Sequence, residues 1–144
     1  MRERSAGAIV FRLERRAPRY LLLNYSYKTV YWDFPKGNIE RGEEPLRTAL
    51  RELKEETGIT KVEVLPGFKE DIKYIYMRGG KRVFKEVIFF LLHTAEERVT
   101  LSEEHIGYAW LPFEKAMRTL TFRNSRQVLE KAHAFLEKTR SKPT

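Results

Sequence analysis

The sequence predicts an α/β domain, a mixed β-sheet covered by helices on both faces. Three observations carry this expectation. Short β-forming runs alternate with turn residues, one amphipathic helix interrupts them, and two further helical patterns close the chain. A length of 144 residues, 42% hydrophobic and 33% charged, suits one domain over 1–144 and leaves little room for a second.

Taken in order, Ser5 to Leu13 (SAGAIVFRL) reads as a buried strand and Tyr20 to Asn24 (YLLLN) as its partner after the turn ERRAP. Lys28 to Phe34 is a further extended piece leading into Pro35. A helix follows over Pro45 to Thr57, with proline in its first turn and Gly58 as its stop. Val62 to Leu65 is a brief strand that Pro66-Gly67 breaks. Phe68 to Met77 and Lys81 to His93 form a hairpin around Arg78-Gly79-Gly80. Tyr108 to Leu111 is a short strand, Leu111 to Leu120 and Ser125 to Lys138 are helices, and 138–144 is expected to fray.

The helix at Pro45 to Thr57 is unusual in its charge. On a period of 3.6, Leu46, Ala49, Leu50, Leu53 and Thr57 form the stripe that faces a core; Glu52, Glu55 and Glu56 share one flank; Arg47, Arg51 and Lys54 take the other. Glu52 stands three and four residues before Glu55 and Glu56, and each such like-charge pair costs a helix about 0.2–0.5 kcal/mol. A hard divalent cation would relieve this, since Mg²⁺ and Mn²⁺ prefer carboxylate oxygens. Helix geometry alone leaves a metal site and a solvated acidic face evenly matched.

The linear spacing separates them. Gly37, five residues, Glu43, seven residues, Arg51-Glu52-Leu53, one residue, Glu55-Glu56, one residue and Gly58-Ile59 match the Nudix box. The chain therefore resembles the Nudix hydrolases, which implies an α/β/α sandwich with a mixed β-sheet. It also implies cleavage of nucleoside diphosphates linked to another moiety, with a divalent cation, Mg²⁺ or Mn²⁺. Trp32-Asp33-Phe34-Pro35-Lys36-Gly37 and Ser102-Glu103-Glu104-His105 with Tyr108, Trp110 and Leu111 resemble segments of the asymmetrical diadenosine tetraphosphate hydrolases. That resemblance implies a dinucleoside polyphosphate substrate cleaved to ATP and AMP. RNA 5′ ends, nucleoside triphosphates and ADP-ribose are the alternatives within the family.

Residue by residue, the resemblance makes Glu52 and Glu56 the principal metal carboxylates, Glu55 a third, and the Gly37 carbonyl a further ligand. Glu43 and Arg51 are the pair that fixes loop to helix, with Glu55 an alternative partner for Arg51. Glu104 approaches the metals from a loop as ligand or general base; His105 is read as a structural hydrogen-bonder. Lys36 is the candidate for the leaving polyphosphate, with Lys81 and Lys85 weaker candidates because alternating lysines also solubilise exposed strands. Tyr74 and Phe122 are the pair expected to stack adenine, or, in the plainer reading, strand packing and a helix anchor.

Composition narrows the remaining classes. The formal net charge is +8, which suits a polyphosphate, yet basic and acidic residues are interspersed with no block that reads as a nucleic-acid arm. No apolar run approaches a membrane span, the N-terminal MRERSAGAIVFRL lacks the features of a signal peptide, and the chain has no cysteine for disulfides or thiolate ligands. A cytoplasmic location is the expectation.

Overall fold

The structure, a computed structural model, describes residues 1–140. Its strands are β1 (Arg2–Glu14), β2 (Ala17–Tyr27), β3 (Thr29–Asp33), β4 (Lys36–Asn38), β5 (Val62–Arg78), β6 (Lys81–Thr94) and β7 (His105–Pro112). The helices are α1 (Pro45–Thr57), α2 (Phe113–Thr119) and α3 (Arg123–Arg140). The mixed sheet runs β3-β2-β1-β6-β5, with β4 pairing β1 and β7 pairing β2; β1 and β6 are parallel and the other pairs antiparallel.

Period-2 alternation divides the core into two layers. Ala6, Ala8, Val10, Leu21, Leu23, Ile88 and Leu92 face α1 through Ala49 and Leu53, with Ile59 just beyond the helix in the same layer. Ile9, Phe11, Tyr20, Leu22, Val87, Phe89 and Leu91 face α2 and α3 through Ala116, Leu129, Ala132 and Leu136. Each fully buried aliphatic side chain contributes about 2 kcal/mol. An exposed ion pair adds about 1 kcal/mol at most. The two layers therefore hold the scaffold, and the surface charges do not.

One feature of the sheet makes the site. β1 and β2 pair only over Phe11–Glu14 and Ala17–Tyr20. Beyond that they part, with β4 on β1 at Ser5–Gly7 and β3 on β2 at Leu23–Tyr27. The connecting residues fill the gap. Phe34 is fully buried, edge-on to Phe89 at 5.7 Å. Its carbonyl accepts from the Tyr25 hydroxyl at 2.8 Å, and the Pro35 carbonyl accepts from Ala8 N at 3.0 Å.

The expected elements are present, with differences in extent. Lys36–Asn38 forms an additional short strand, which three residues are too few to announce by alternation. Pro66-Gly67 does not end a strand: β5 passes through it, with a register shift between Val64 and Lys69 that absorbs the missing amide as a bulge. Gly79 and Gly80, both at positive φ, make the tight turn of the β5–β6 hairpin. Residues 138–140, expected to fray, continue α3, while 141–144 lie outside the described residues. Among the described residues no helix is long and apolar enough to cross a membrane.

Candidate active site

The segment entering α1 is held by a single guanidinium. Arg51 donates from Nε and Nη2 to both oxygens of Glu43, at 2.8 and 2.9 Å, and from Nη2 to the Asn38 carbonyl at 3.1 Å. Its Nη1 reaches Glu52 at 2.9 Å and, more weakly, Glu55 at 3.3 Å. The two alternatives for Arg51 are thus both realised, the bidentate pair with Glu43 being the tighter. Glu43 also accepts from Thr48 Oγ1 at 2.6 Å and Glu40 N at 3.1 Å. The Arg51 bonds, followed by that from Thr48, hold its carboxyl down at about 2. The lock therefore persists above the ordinary carboxylate range and is lost only as pH falls towards 2. Arg51 does not stand on a separate basic flank; its reach joins it to the acidic one.

The carboxylates differ sharply in surroundings. Glu56 is buried, at 4% exposure. Its Oε1 accepts from the Tyr25 hydroxyl at 3.2 Å and lies 3.2 Å from His105 Nε2, while its Oε2 is buried with no hydrogen-bond partner. Burial raises the carboxyl above its ordinary value, against the opposing effect of His105. Burial, then the neighbouring Glu56 charge, pushes Glu52 up to about 7. Glu55 is more than half exposed. Gly37 lies against Glu52 so closely that a Cβ there would fall 2.0 Å from the Glu52 carboxyl carbon.

Glu104 arrives from across the cleft. Its turn is tied to the end of α1 by Thr100 N to the Thr57 carbonyl at 2.9 Å and Ser102 N to the Glu56 carbonyl at 3.3 Å. Ser102 Oγ and His105 Nδ1 are 2.8 Å apart. Lys36, Gly37, Asn38, Glu52, Glu55, Glu56 and Glu104 consequently line one cleft of about 520 Å³. Among the described residues, no three His, Cys, Asp or Glu side chains are gathered closely enough to hold a metal ion outright. The donor set nevertheless fits a hard cation. Glu56, whose Oε2 is buried and unpartnered, lines the cleft with Glu104 and with Glu52 and Glu55, the last two leaning on Arg51.

A raised acid makes a stability prediction. Glu52 is ionised in the unfolded chain above about 4.5 but in the folded chain only above about 7, so its charge costs stability as pH rises between them. With divalent cations chelated, Glu52→Gln is expected to melt several degrees above the wild type at pH 8. The difference should vanish by pH 4.5. Equal melting at both pH values would show that Glu52 ionises without penalty.

A second cleft, about 480 Å³, is lined by Tyr31, Asp33, Lys36, Tyr74, Phe122 and Ser125, among others. Tyr74 and Phe122 are thus brought together. Tyr31, which the sequence reading did not single out, stacks on Tyr25 at 4.9 Å and lies 5.3 Å from Phe122. The main chain before Phe122 is pinned to β3 by Trp32 N to Thr121 Oγ1 at 2.9 Å and Thr121 N to the Trp32 carbonyl at 3.2 Å. Lys36 lines both clefts and pairs with Asp33 at 3.0 Å.

The remaining candidates lie apart. Lys85 donates to Ser5 Oγ at 2.7 Å and stands near Asn38, with burial lowering its ammonium pKa. Lys81 pairs with Arg78 at the hairpin tip and lines neither cleft. Trp110 donates to the Glu97 carbonyl at 3.0 Å beneath Arg12, and Trp32 packs on the layer facing α3, so both tryptophans are structural.

Comparison with known proteins places this geometry. The NUDIX domain family matches residues 1–132. The asymmetrical bis(5′-nucleosyl)-tetraphosphatase of Mus musculus is 34% identical over 143 residues, covering 92% of this chain and 95% of the mouse protein. An RNA pyrophosphohydrolase of Nitratiruptor is 31% identical over 103 residues, covering 63% of this chain and 64% of its own. A C. elegans Ap4A hydrolase binary complex superposes with a TM-score of 0.80 at 30% identity, covering 94% of this chain and 98% of that one. With its box residues in one cleft and its family match spanning most of the sequence, the chain belongs to the Nudix family.

Proposed function

We propose that the protein hydrolyses dinucleoside polyphosphates, converting diadenosine tetraphosphate to ATP and AMP. The observation that carries this reading is the position of Lys36, which lines both the carboxylate cleft and the aromatic cleft. A substrate with a base at one end and a phosphate chain beside it fits that pairing. The asymmetrical tetraphosphatase from mouse and the Ap4A hydrolase structure from C. elegans support the choice.

Adenine stacks between Tyr74 and the Phe122 wall, where a π-face binds any orientation of the base edge. The Lys36 ammonium meets the phosphate chain, and Glu52 and Glu56, joined by Glu55, Glu104 and the Gly37 carbonyl, form the donor set for Mg²⁺ or Mn²⁺. That cation, when bound, neutralises charge developing on the phosphates and acidifies water in the cleft. A water oxygen attacks phosphorus, the phosphoanhydride P–O bond breaks, and the water's proton passes to a carboxylate. Glu104, which lines the same cleft, is the acceptor this reading assigns. Arg51 and Glu43 keep β4, which carries Gly37, and the loop after it against α1 throughout.

Incubation with Mg²⁺ and diadenosine tetraphosphate is expected to release ATP and AMP in equal amounts, resolved by ion-exchange chromatography. Two molecules of ADP, or no turnover, would overturn the reading. Faster release of pyrophosphate from 5′-triphosphorylated RNA would favour the chemistry of the Nitratiruptor relative instead.

A further inference from the structure

Asp33 is a buried carboxylate, 1% exposed, that the reaction scheme does not use. Its two oxygens have separate tasks. Oδ1 accepts from Phe34 N at 2.8 Å and from Ser125 Oγ at 2.7 Å, which fixes the plane of the carboxyl group. Oδ2 is directed at Lys36 Nζ, 3.0 Å away. Ser125 is itself buried and belongs to the first turn of α3, three residues beyond Phe122. One carboxylate therefore joins the lysine of the phosphate side to the helix whose start carries the base-side aromatic ring.

We propose that Asp33 is a positioning residue that holds the Lys36 ammonium at the junction of the two clefts, in register with α3, for a polyphosphate chain to bind. This rests on the reading of Lys36 as a phosphate contact. An ammonium has three donors, so Lys36 can hold its ion pair with Asp33 and still donate to phosphate oxygens. Without the carboxylate, Lys36 would be a long flexible cation in a confined site, repelled by the Lys85 charge. In Asp33→Asn, if the amide oxygen keeps the bonds from Phe34 N and Ser125, the amide NH₂ faces Lys36, donor against donor.

Inorganic tripolyphosphate, titrated calorimetrically in fixed Mg²⁺, tests this apart from turnover. Asp33→Asn and Lys36→Ala are each expected to weaken binding about tenfold, and the double variant no further than Lys36→Ala alone. Additive losses, unchanged binding in Asp33→Asn, or no binding by the wild type would overturn the proposal. Should Asp33→Asn not fold, Ser125→Ala replaces it: a smaller loss that disappears in the Lys36→Ala background supports the link, and one that persists there overturns it. A wild type that binds tripolyphosphate but leaves diadenosine tetraphosphate intact refutes the proposed substrate and not the role of Asp33.

Discussion

Glu56→Gln is expected to lower turnover by roughly a thousandfold, about 4 kcal/mol of transition-state stabilisation, with the fold intact. The amide keeps the volume and can keep the oxygen that accepts from Tyr25. It removes the charge from the position where burial already makes charge costly. A carboxyl raised in this way subtracts stability above its ordinary range, so the amide should melt no lower than the wild type at pH 8 without cations. Turnover at saturating Mg²⁺ together with a thermal melt separates the outcomes. Near-normal turnover would remove Glu56 from the chemistry. A large drop in melting temperature would reassign it to packing.

Gly37→Ala should be nearly as damaging by a different route. The added methyl would sit 2.0 Å from the carboxyl carbon of Glu52 and 2.2 Å from one of its oxygens, so the side chain must swing away. For the fold this is a modest change, because a long side chain can rotate towards solvent. For catalysis it displaces one of the two carboxylates proposed to hold the metal and disturbs the bond from Arg51. Turnover is expected to fall about a hundredfold, as metal-site displacements do, while the melting temperature moves by only a few degrees. If activity survives, the close approach of Gly37 to Glu52 has no part in the reaction. If the protein unfolds, the glycine serves the scaffold instead.

The two clefts differed in how much of them could be read from sequence. Every hydrogen-bond partner of Arg51 lies between Asn38 and Glu55, so the α1 side of the carboxylate cleft is written in one contiguous stretch, while Glu104 joins it from a distant segment. Its charge pattern could be read, but not the depth of Glu56: helical periodicity put that residue on an acidic flank, and only the tyrosine arriving from β2 shows why it is enclosed. The aromatic cleft is assembled from residues near positions 31, 74 and 122. No local pattern links those segments, and Tyr31 and Asp33 passed as ordinary strand residues. For Lys81 and Lys85, a period of two predicts a shared face but not proximity. Four strand residues span about 13 Å, enough to leave Lys81 at the hairpin tip.

The parting of β1 and β2 has a consequence for how substrate is met. The wedge between the strands is Phe34-Pro35, fully buried at the phenylalanine and bonded to β1 on one side and Tyr25 on the other. The mouth of the site is therefore a keystone arrangement within the core, not a gap left between loops. Opening it draws on the same burial that folds the domain. A ligand entering either cleft meets a preformed site, and little of its binding energy is diverted into making room.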